Sequence, residues 1–97
     1  MDGKTVSWFL YLIECEDGSL YTGIAVDPDA RFAAHAAGKG ARYTRSHPPR
    51  RLLFTLAFPD RSSASKAEYR LKQMSADEKR RFAAVSRKVE PIRPESL

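Results

Sequence analysis

Cysteine and asparagine are the residue types that this 97-residue chain lacks most clearly: it has one cysteine, Cys15, and no asparagine. A single cysteine excludes an internal disulfide and is typical of proteins from a reducing compartment. With only two histidines beside it, the composition argues against a structural zinc site. The motifs HExxH, GxSxG and GxxxxGK[ST] are missing too. Their absence argues against zinc metalloproteases, serine hydrolases and P-loop enzymes.

Long apolar segments are also missing. The longest apolar run extends from Val6 to Ile13 and is broken by Ser7, whereas a transmembrane helix needs about 20 apolar residues. The N-terminal MDGKTV has no basic region followed by an apolar stretch, so we expect no secretory signal and a cytoplasmic protein. The length predicts one domain over residues 1–97, with a core at about 7–87 and an extended tail at 88–97.

Acidic residues are missing from one long segment. From Ala30 to Pro59 the chain has no aspartate or glutamate, although its formal net charge is only +5. The same segment carries six lysines and arginines: Arg31, Lys39, Arg42, Arg45, Arg50 and Arg51. A solvated positive face and a phosphate-binding surface both remain open. The glycines, hydroxyls and arginines of GKGARYTR, 38–45, favour phosphate binding.

The first quarter of the chain predicts a β-hairpin. Residues 7–15 (SWFLYLIEC) are rich in aromatic and β-branched side chains and predict a strand, and residues 19–25 (SLYTGIA) predict its antiparallel partner. Apolar side chains occupy both faces of the first strand. This pattern indicates a central strand that is covered on both sides.

The turn of this hairpin determines whether Tyr11 and Tyr21 lie on the same face of the sheet or on opposite faces. A two-residue loop, Asp17-Gly18, would put the tyrosines on opposite faces of the sheet. A three-residue loop, Glu16-Asp17-Gly18, would pair Tyr11 with Gly23 and put both tyrosines on one face. Because such loops favour glycine in the third place, where Gly18 falls, we predict the second register.

Three helices and a third strand are predicted after the hairpin. Asp27-Pro28-Asp29 is typical of a helix start, and this helix is expected to end near Ala37, with Gly38 as its C-cap. A basic loop, 39–50, precedes a strand at 51–58. The order ββαβαα predicts an α+β domain with a three-stranded antiparallel sheet flanked by helices.

The second and third helices have their own start signals. The second is predicted to begin at Ser62 or Ser63 and to end near Met74. Ser75 and Glu78 form the pattern of a capping box, which predicts the start of the third helix.

Charged residues on the predicted helices leave alternatives open. Glu68 borders the apolar stripe of the second helix, where a carboxylate needs a partner. That partner could be Lys72, four residues on, or a Mg²⁺ ion that also binds phosphate oxygens. Arg31 and His35 share one face of the first helix, which is either an exposed basic face or part of a site.

The residue types together match the needs of phosphodiester hydrolysis. That reaction needs a base for water, a cation on the nonbridging oxygens, a metal and a proton source. Tyr11 and Tyr21 taken singly are typical packing residues. In combination with Arg31, His35 and Glu68, they become candidates for these roles.

The tripeptides FLY (9–11) and YTG (21–23) resemble the two motifs of the GIY-YIG nuclease superfamily. The resemblance continues through TGIAVDPDARFAAH (22–35), GKGARYTR (38–45), FPDR (58–61) and AEYRLK (67–72). The chain looks most like the small stand-alone bacterial branch, which is similar to the nuclease domain of Slx-type structure-specific endonucleases. The first tripeptide lacks the glycine and isoleucine of its motif. The asparagine that some members carry after the metal-binding glutamate has no counterpart here.

This resemblance implies a DNA endonuclease that depends on Mg²⁺ or Mn²⁺. Tyr11 corresponds to a general base or water-positioning residue, which would require its pKa to fall from about 10. Tyr21 corresponds to a residue that orients water or phosphate, and Arg31 to one that stabilises the transition-state phosphate. His35 matches a base or proton relay, and Glu68 matches the metal ligand.

DNA binding is expected along the basic segment. The predicted DNA-binding residues are Gly23, Lys39, Arg42, Tyr43, Thr44, Arg45 and Arg50, with Tyr43 available to stack on a base. Without an added binding module, single-stranded or branched DNA is the favoured substrate. A non-catalytic nucleic-acid-binding protein and a nuclease subunit that needs a protein partner remain alternatives, as does association with the nucleoid.

Overall fold

Strand β1, Trp8–Cys15, forms the centre of the fold. The computed structural model describes residues 7–88, in which β1 lies between β2, Leu20–Ala25, and β3, Pro49–Phe58, in an antiparallel sheet. The helices in these residues are α1, Pro28–Ala36; α2, Arg42–Ser46; α3, Arg61–Lys72; and α4, Ala76–Lys88. The predicted α+β class and three-stranded antiparallel sheet are therefore confirmed, with the order ββααβαα. No helix in the described part is long and apolar enough to cross a membrane.

The β1–β2 hairpin has the register predicted from its turn. Tyr11 pairs with Gly23, and Ile13 pairs with Tyr21. Gly18 has a φ of 88°, in the left-handed region that glycine adopts without strain, and its N–H donates to the carbonyl of Cys15 at 2.9 Å. Since side chains alternate along a strand, this register puts Tyr11 and Tyr21 on the same face of the sheet.

Apolar side chains cover both faces of the sheet, as the pattern of β1 predicts. On one face Leu10 and Leu12 pack with Leu71 of α3 and Ala83 of α4. On the other face Tyr11 and Ile13 pack with Tyr21 of β2 and with Phe32, Ala25 and Leu52. Because Phe32 belongs to α1, the second face is called the α1 face below.

Helices α1 and α4 begin where their capping signals predict, whereas α3 begins earlier than predicted. Asp27 accepts a hydrogen bond from the N–H of Ala30 at 3.0 Å, as predicted for α1. The capping box of α4 has both of its bonds, at 2.8 and 3.1 Å between Ser75 and Glu78. Helix α3 begins earlier than predicted, because Asp60 rather than a serine accepts the bond from Ser63 N–H at 2.8 Å.

The segment 39–50 differs from the predicted loop. Residues Arg42–Ser46 form α2, a helix of five residues. It lacks the apolar periodicity of the longer helices. Strand β3 begins at Pro49, two residues before the predicted start, and a proline can begin an edge strand because it needs no ladder donor there. Of the predicted tail, Lys88 ends α4, and residues 89–97 lie outside the described residues.

Candidate active site

Tyr11 and Tyr21 lie side by side on the α1 face. Their ring centroids are 6.4 Å apart. Opposite Tyr11, Gly23 contributes no side chain, and a Cβ built at Gly23 would collide with the Tyr11 hydroxyl and the ring carbon that bears it. Because Tyr11 is only 1% exposed, its phenol could not move aside. Gly23 therefore provides the space beside Tyr11 that the hairpin register predicts.

Helix α1 brings His35 against both tyrosines. The Nε2 atom of His35 lies 3.2 Å from the hydroxyl oxygen of Tyr11. The His35 ring meets the Tyr21 ring edge to face, with centroids 5.2 Å apart. His35 is 1% exposed, whereas Arg31, one turn earlier, is exposed. The alternative in which both residues belong to an exposed basic face is therefore wrong for His35.

The residues around Tyr11 and His35 shift the pKa values of both groups, and these shifts determine which of the two is the stronger base. Burial, together with neighbouring Tyr21, raises the pKa of Tyr11, and the positive charge of Arg31 offsets this only in part. Burial, followed by the charge of Arg31, lowers the pKa of His35. At neutral pH Tyr11 therefore keeps its proton and His35 is neutral. A tyrosine base would require a lowered pKa, whereas the protein groups alone raise the pKa of Tyr11, so His35 is the more basic partner.

Charges from two helices act on the Tyr11 hydroxyl. Arg31 of α1 favours the phenolate and so lowers the pKa of Tyr11, whereas Glu68 of α3 raises it. Both residues therefore lie within electrostatic range of the same hydroxyl. The structure brings together five of the predicted residues around one point: Tyr11, Tyr21, Arg31, His35 and Glu68.

Glu68 is the carboxylate that this site offers to a divalent metal. Its side chain is 22% exposed, and its Oε2 lies 3.3 Å from Nζ of Lys72, so the predicted ion pair is present. Residues 7–88 contain no cluster of three or more His, Cys, Asp or Glu side chains able to hold a metal. Mg²⁺ can keep several waters and use one carboxylate together with substrate phosphate oxygens. A single accessible carboxylate fits such an ion, provided that Lys72 swings away.

Helix α2 lies against Tyr21. The Tyr43 ring stacks on Tyr21, with centroids 5.8 Å apart, and on His47, with centroids 4.1 Å apart. His47 is held in place by Asp17, with 2.6 Å between Nδ1 and Oδ2. Stacking of Tyr43 on a nucleic-acid base would therefore compete with two internal aromatic contacts.

Most of the predicted DNA-binding residues of segment 39–50 lie on the surface, and one does not. The exposed residues are Lys39, Arg42, Arg45 and Arg50, with Tyr43 partly covered by the rings described above. Thr44 is 1% exposed, and its hydroxyl bonds only inside the protein, at 2.7 Å from Nδ1 of His35 and 3.0 Å from the carbonyl of Ala41. The hydroxyl of Thr44, predicted to contact DNA, is therefore not available for such a contact, because it is buried and already paired.

Sequence reasoning misses three residues that shape the site. Asp17 and His47 are 30 positions apart, and no spacing pattern links them. Gly40 lies against the His35 ring so closely that a Cβ there would collide with it. The signal for Gly40 was present only as a second glycine in GKGA, which is also what a phosphate-binding loop would show.

The chain is similar in sequence to a known protein family and to small bacterial proteins. Residues 7–81 match the family described as GIY-YIG catalytic domain. A UPF0213 protein of Cupriavidus pinatubonensis is 56% identical over 77 residues, which cover 79% of this chain and 86% of that protein. A second UPF0213 protein, from Cupriavidus necator, is 49% identical over 87 residues, or 90% of this chain and 95% of that one.

Two solution NMR structures have the same fold. The UPF0213 protein BH0048 from Bacillus halodurans is 43% identical, with a TM-score of 0.53, and the match covers 81% of this chain and 84% of that one. The protein EF2693 from E. faecalis is 31% identical, with a TM-score of 0.61 and coverage of 96% and 98%.

Proposed function

Because the chain belongs to the family of GIY-YIG catalytic domains, we propose that it is a divalent-metal-dependent endonuclease that hydrolyses phosphodiester bonds in DNA. The observation that carries this proposal is the contact of 3.2 Å between the Tyr11 hydroxyl and Nε2 of His35. A buried hydroxyl beside a neutral imidazole can pass on a proton, and Arg31 and Glu68 lie within electrostatic range of it.

Proton transfer through this pair would activate the attacking water. As the water oxygen bonds to phosphorus, its proton passes to the Tyr11 oxygen while the Tyr11 proton passes to Nε2 of His35. The bond from phosphorus to the leaving oxygen breaks in the same displacement, and that oxygen takes a proton from solvent. Tyr11 is thus neutral before and after the step, which agrees with its raised pKa.

Charge on the phosphate would be stabilised by Arg31 and by a metal. The exposed Arg31 guanidinium can donate two hydrogen bonds to nonbridging oxygens, in the planar geometry that suits phosphate. Glu68 would hold Mg²⁺ or Mn²⁺, which supplies Lewis-acid stabilisation of the phosphate when bound.

The exposed basic residues of segment 39–50 would bind the DNA backbone. These residues are Lys39, Arg42, Arg45 and Arg50. Contacts with phosphates carry no sequence information, so they would give affinity without sequence preference. Residues 7–88 contain one sheet and its helices and no further unit to hold a duplex. We therefore propose single-stranded or branched DNA as the substrate, in the cytoplasm.

One comparison of variants tests the proposal. Wild type, Glu68→Ala, Arg31→Ala and the matched control Glu16→Ala, an exposed turn residue, are incubated with labelled single-stranded, duplex and branched DNA and with RNA. Cleavage by wild type and Glu16→Ala that needs Mg²⁺ or Mn²⁺, stops with EDTA and is lost in the other two variants supports the proposal.

Other outcomes point elsewhere. Salt-sensitive binding without cleavage of any substrate would replace the proposal with a non-catalytic nucleic-acid-binding protein. Cleavage only after addition of a purified fraction of cell extract would indicate a subunit that needs a partner. Faster cleavage of RNA than of DNA would change the substrate class.

A further inference from the structure

The Thr44 hydroxyl lies on the far side of the His35 ring from Tyr11. Its Oγ1 is 2.7 Å from Nδ1 of His35, and both side chains are 1% exposed. The same hydroxyl donates to the carbonyl oxygen of Ala41 at 3.0 Å. One imidazole is therefore held between Thr44 at Nδ1 and Tyr11 at Nε2.

The single hydrogen of the Thr44 hydroxyl is linked to the tautomer of His35. When it goes to Nδ1, the ring proton lies on Nε2. When it goes to the Ala41 carbonyl, Oγ1 accepts from Nδ1–H of His35. A neutral imidazole has only one N–H, so Nε2 then carries the lone pair and faces the Tyr11 hydroxyl.

A second contact at Nδ1 fits the other tautomer. The backbone N–H of Ala41 also points to Nδ1 of His35, at 3.3 Å, and can donate only if Nδ1 carries a lone pair. The 2.7 Å contact with Thr44 forms in either tautomer, so the two distances do not choose between them and the position of the ring proton has to be measured. Gly40 makes these close contacts with the ring feasible, since any side chain there would collide with the ring.

We propose that Thr44 is a positioning residue that fixes His35 in the Nδ1–H tautomer, so that Nε2 is the proton acceptor for Tyr11. The consequence for cleavage rests on the proposed function, whereas the tautomer itself does not. Thr44→Val keeps the shape and removes the hydroxyl, and Thr44→Ser keeps the hydroxyl. In Thr44→Val the Ala41 N–H becomes the remaining donor to Nδ1, which moves the ring proton to Nε2 and points it at Tyr11.

Long-range proton–nitrogen NMR correlation of the histidine rings tests this directly. We expect wild type and Thr44→Ser to carry the His35 proton on Nδ1, and Thr44→Val to carry it partly or wholly on Nε2. His47, held by Asp17, is the internal reference and should not change. A wild-type proton on Nε2 overturns the proposal, even if Thr44→Val fails to fold. An unchanged tautomer in folded Thr44→Val does the same.

The kinetics of DNA cleavage by the Thr44 variants provide a second test of the proposal. With the substrate that wild type cuts best, Thr44→Val should lower kcat on the order of 100-fold, within the usual range for general base catalysis. KM for DNA should change little, and Thr44→Ser should restore kcat. A raised KM with unchanged kcat would make Thr44 a DNA-binding residue and overturn the proposal. If wild type cuts nothing, the proposed function fails while the NMR result still decides the tautomer.

Discussion

The hydroxyl of Tyr11 lies 3.2 Å from Nε2 of His35, and both side chains are 1% exposed. The raised pKa of Tyr11 and the lowered pKa of His35 keep both groups neutral near pH 7, since burial disfavours the charged form of each. Both groups are therefore uncharged before any proton moves. His35, which the sequence suggests as a base or proton relay, is the neighbour that contacts the Tyr11 hydroxyl.

Removing the Tyr11 hydroxyl should separate catalysis from folding. In Tyr11→Phe the proton path is broken, so cleavage should fall by about 10² to 10⁴. The free energy of unfolding should fall by about 1–3 kcal/mol, because Nε2 of His35 loses its partner in the interior. Denaturant unfolding and single-turnover cleavage measure the two effects. Tyr69→Phe, at a tyrosine that is 67% exposed, is the control and should change neither.

The pH dependence of cleavage should follow His35. Only neutral His35 accepts a proton, so the rate should be constant above its pKa and fall as pH drops below it. Burial and the charge of Arg31 lower this pKa, so the fall should begin below about pH 6.5, the usual value for histidine. Arg31→Gln removes the positive charge and should raise the His35 pKa, as measured by NMR titration. A rate that falls already above pH 7 would contradict this assignment.

The ion pair of Glu68 and Lys72 should oppose metal binding. Their atoms are 3.3 Å apart and Lys72 is 56% exposed, so the pair contributes at most about 1 kcal/mol. Lys72→Met should therefore tighten Mn²⁺ binding by up to about fivefold, in the calorimetric titration of the protein with the metal. Glu68→Gln should abolish the heat of binding. If Glu16→Gln abolishes it instead, the metal lies elsewhere.

Local signals were sufficient for the hairpin and for the starts of α1 and α4, since each depends on few neighbouring residues. Gly18 specified the turn of the hairpin, and therefore the face of the sheet on which Tyr11 and Tyr21 both lie. Asp27 and the pair Ser75 and Glu78 specified helix starts in the same way. These interactions form within three or four residues, so a sequence shows both partners together.

The chemistry of the site depended on distant contacts that a sequence does not display. Thr44 reads as a phosphate contact within GKGARYTR, and only the packing of α2 against His35 buries its hydroxyl. The pKa of Tyr11 depends on its burial and on charges from α1 and α3, which no short sequence pattern displays. Residue types suggest which residues could bind DNA or transfer protons, but burial determines which of them are able to do so.

Gly23 and Gly18 should respond differently to the same substitution. In Gly23→Ala the new methyl group meets the buried Tyr11 phenol, so we expect a loss of about 1–3 kcal/mol in stability and a large loss of cleavage. In Gly18→Ala the methyl group meets nothing within 4 Å, and the cost is that of a left-handed backbone, about 1–2 kcal/mol. Cleavage per folded molecule should then be unchanged. Equal cleavage by the two variants would show that Gly23 does not shape the site.

The exposed arginines of α2 should determine the salt dependence of DNA binding. Arg42 and Arg45 lie three positions apart on one helix, so both can reach neighbouring phosphates. Replacing either by glutamine should reduce the slope of log affinity against log salt by about 1, and the loss should be equal for different DNA sequences. Fluorescence anisotropy with labelled single-stranded DNA measures this slope. Arg81→Gln, at an exposed residue of α4, removes the same charge and should leave the slope unchanged. An equal change in the control would mean that overall charge, and not α2, governs binding.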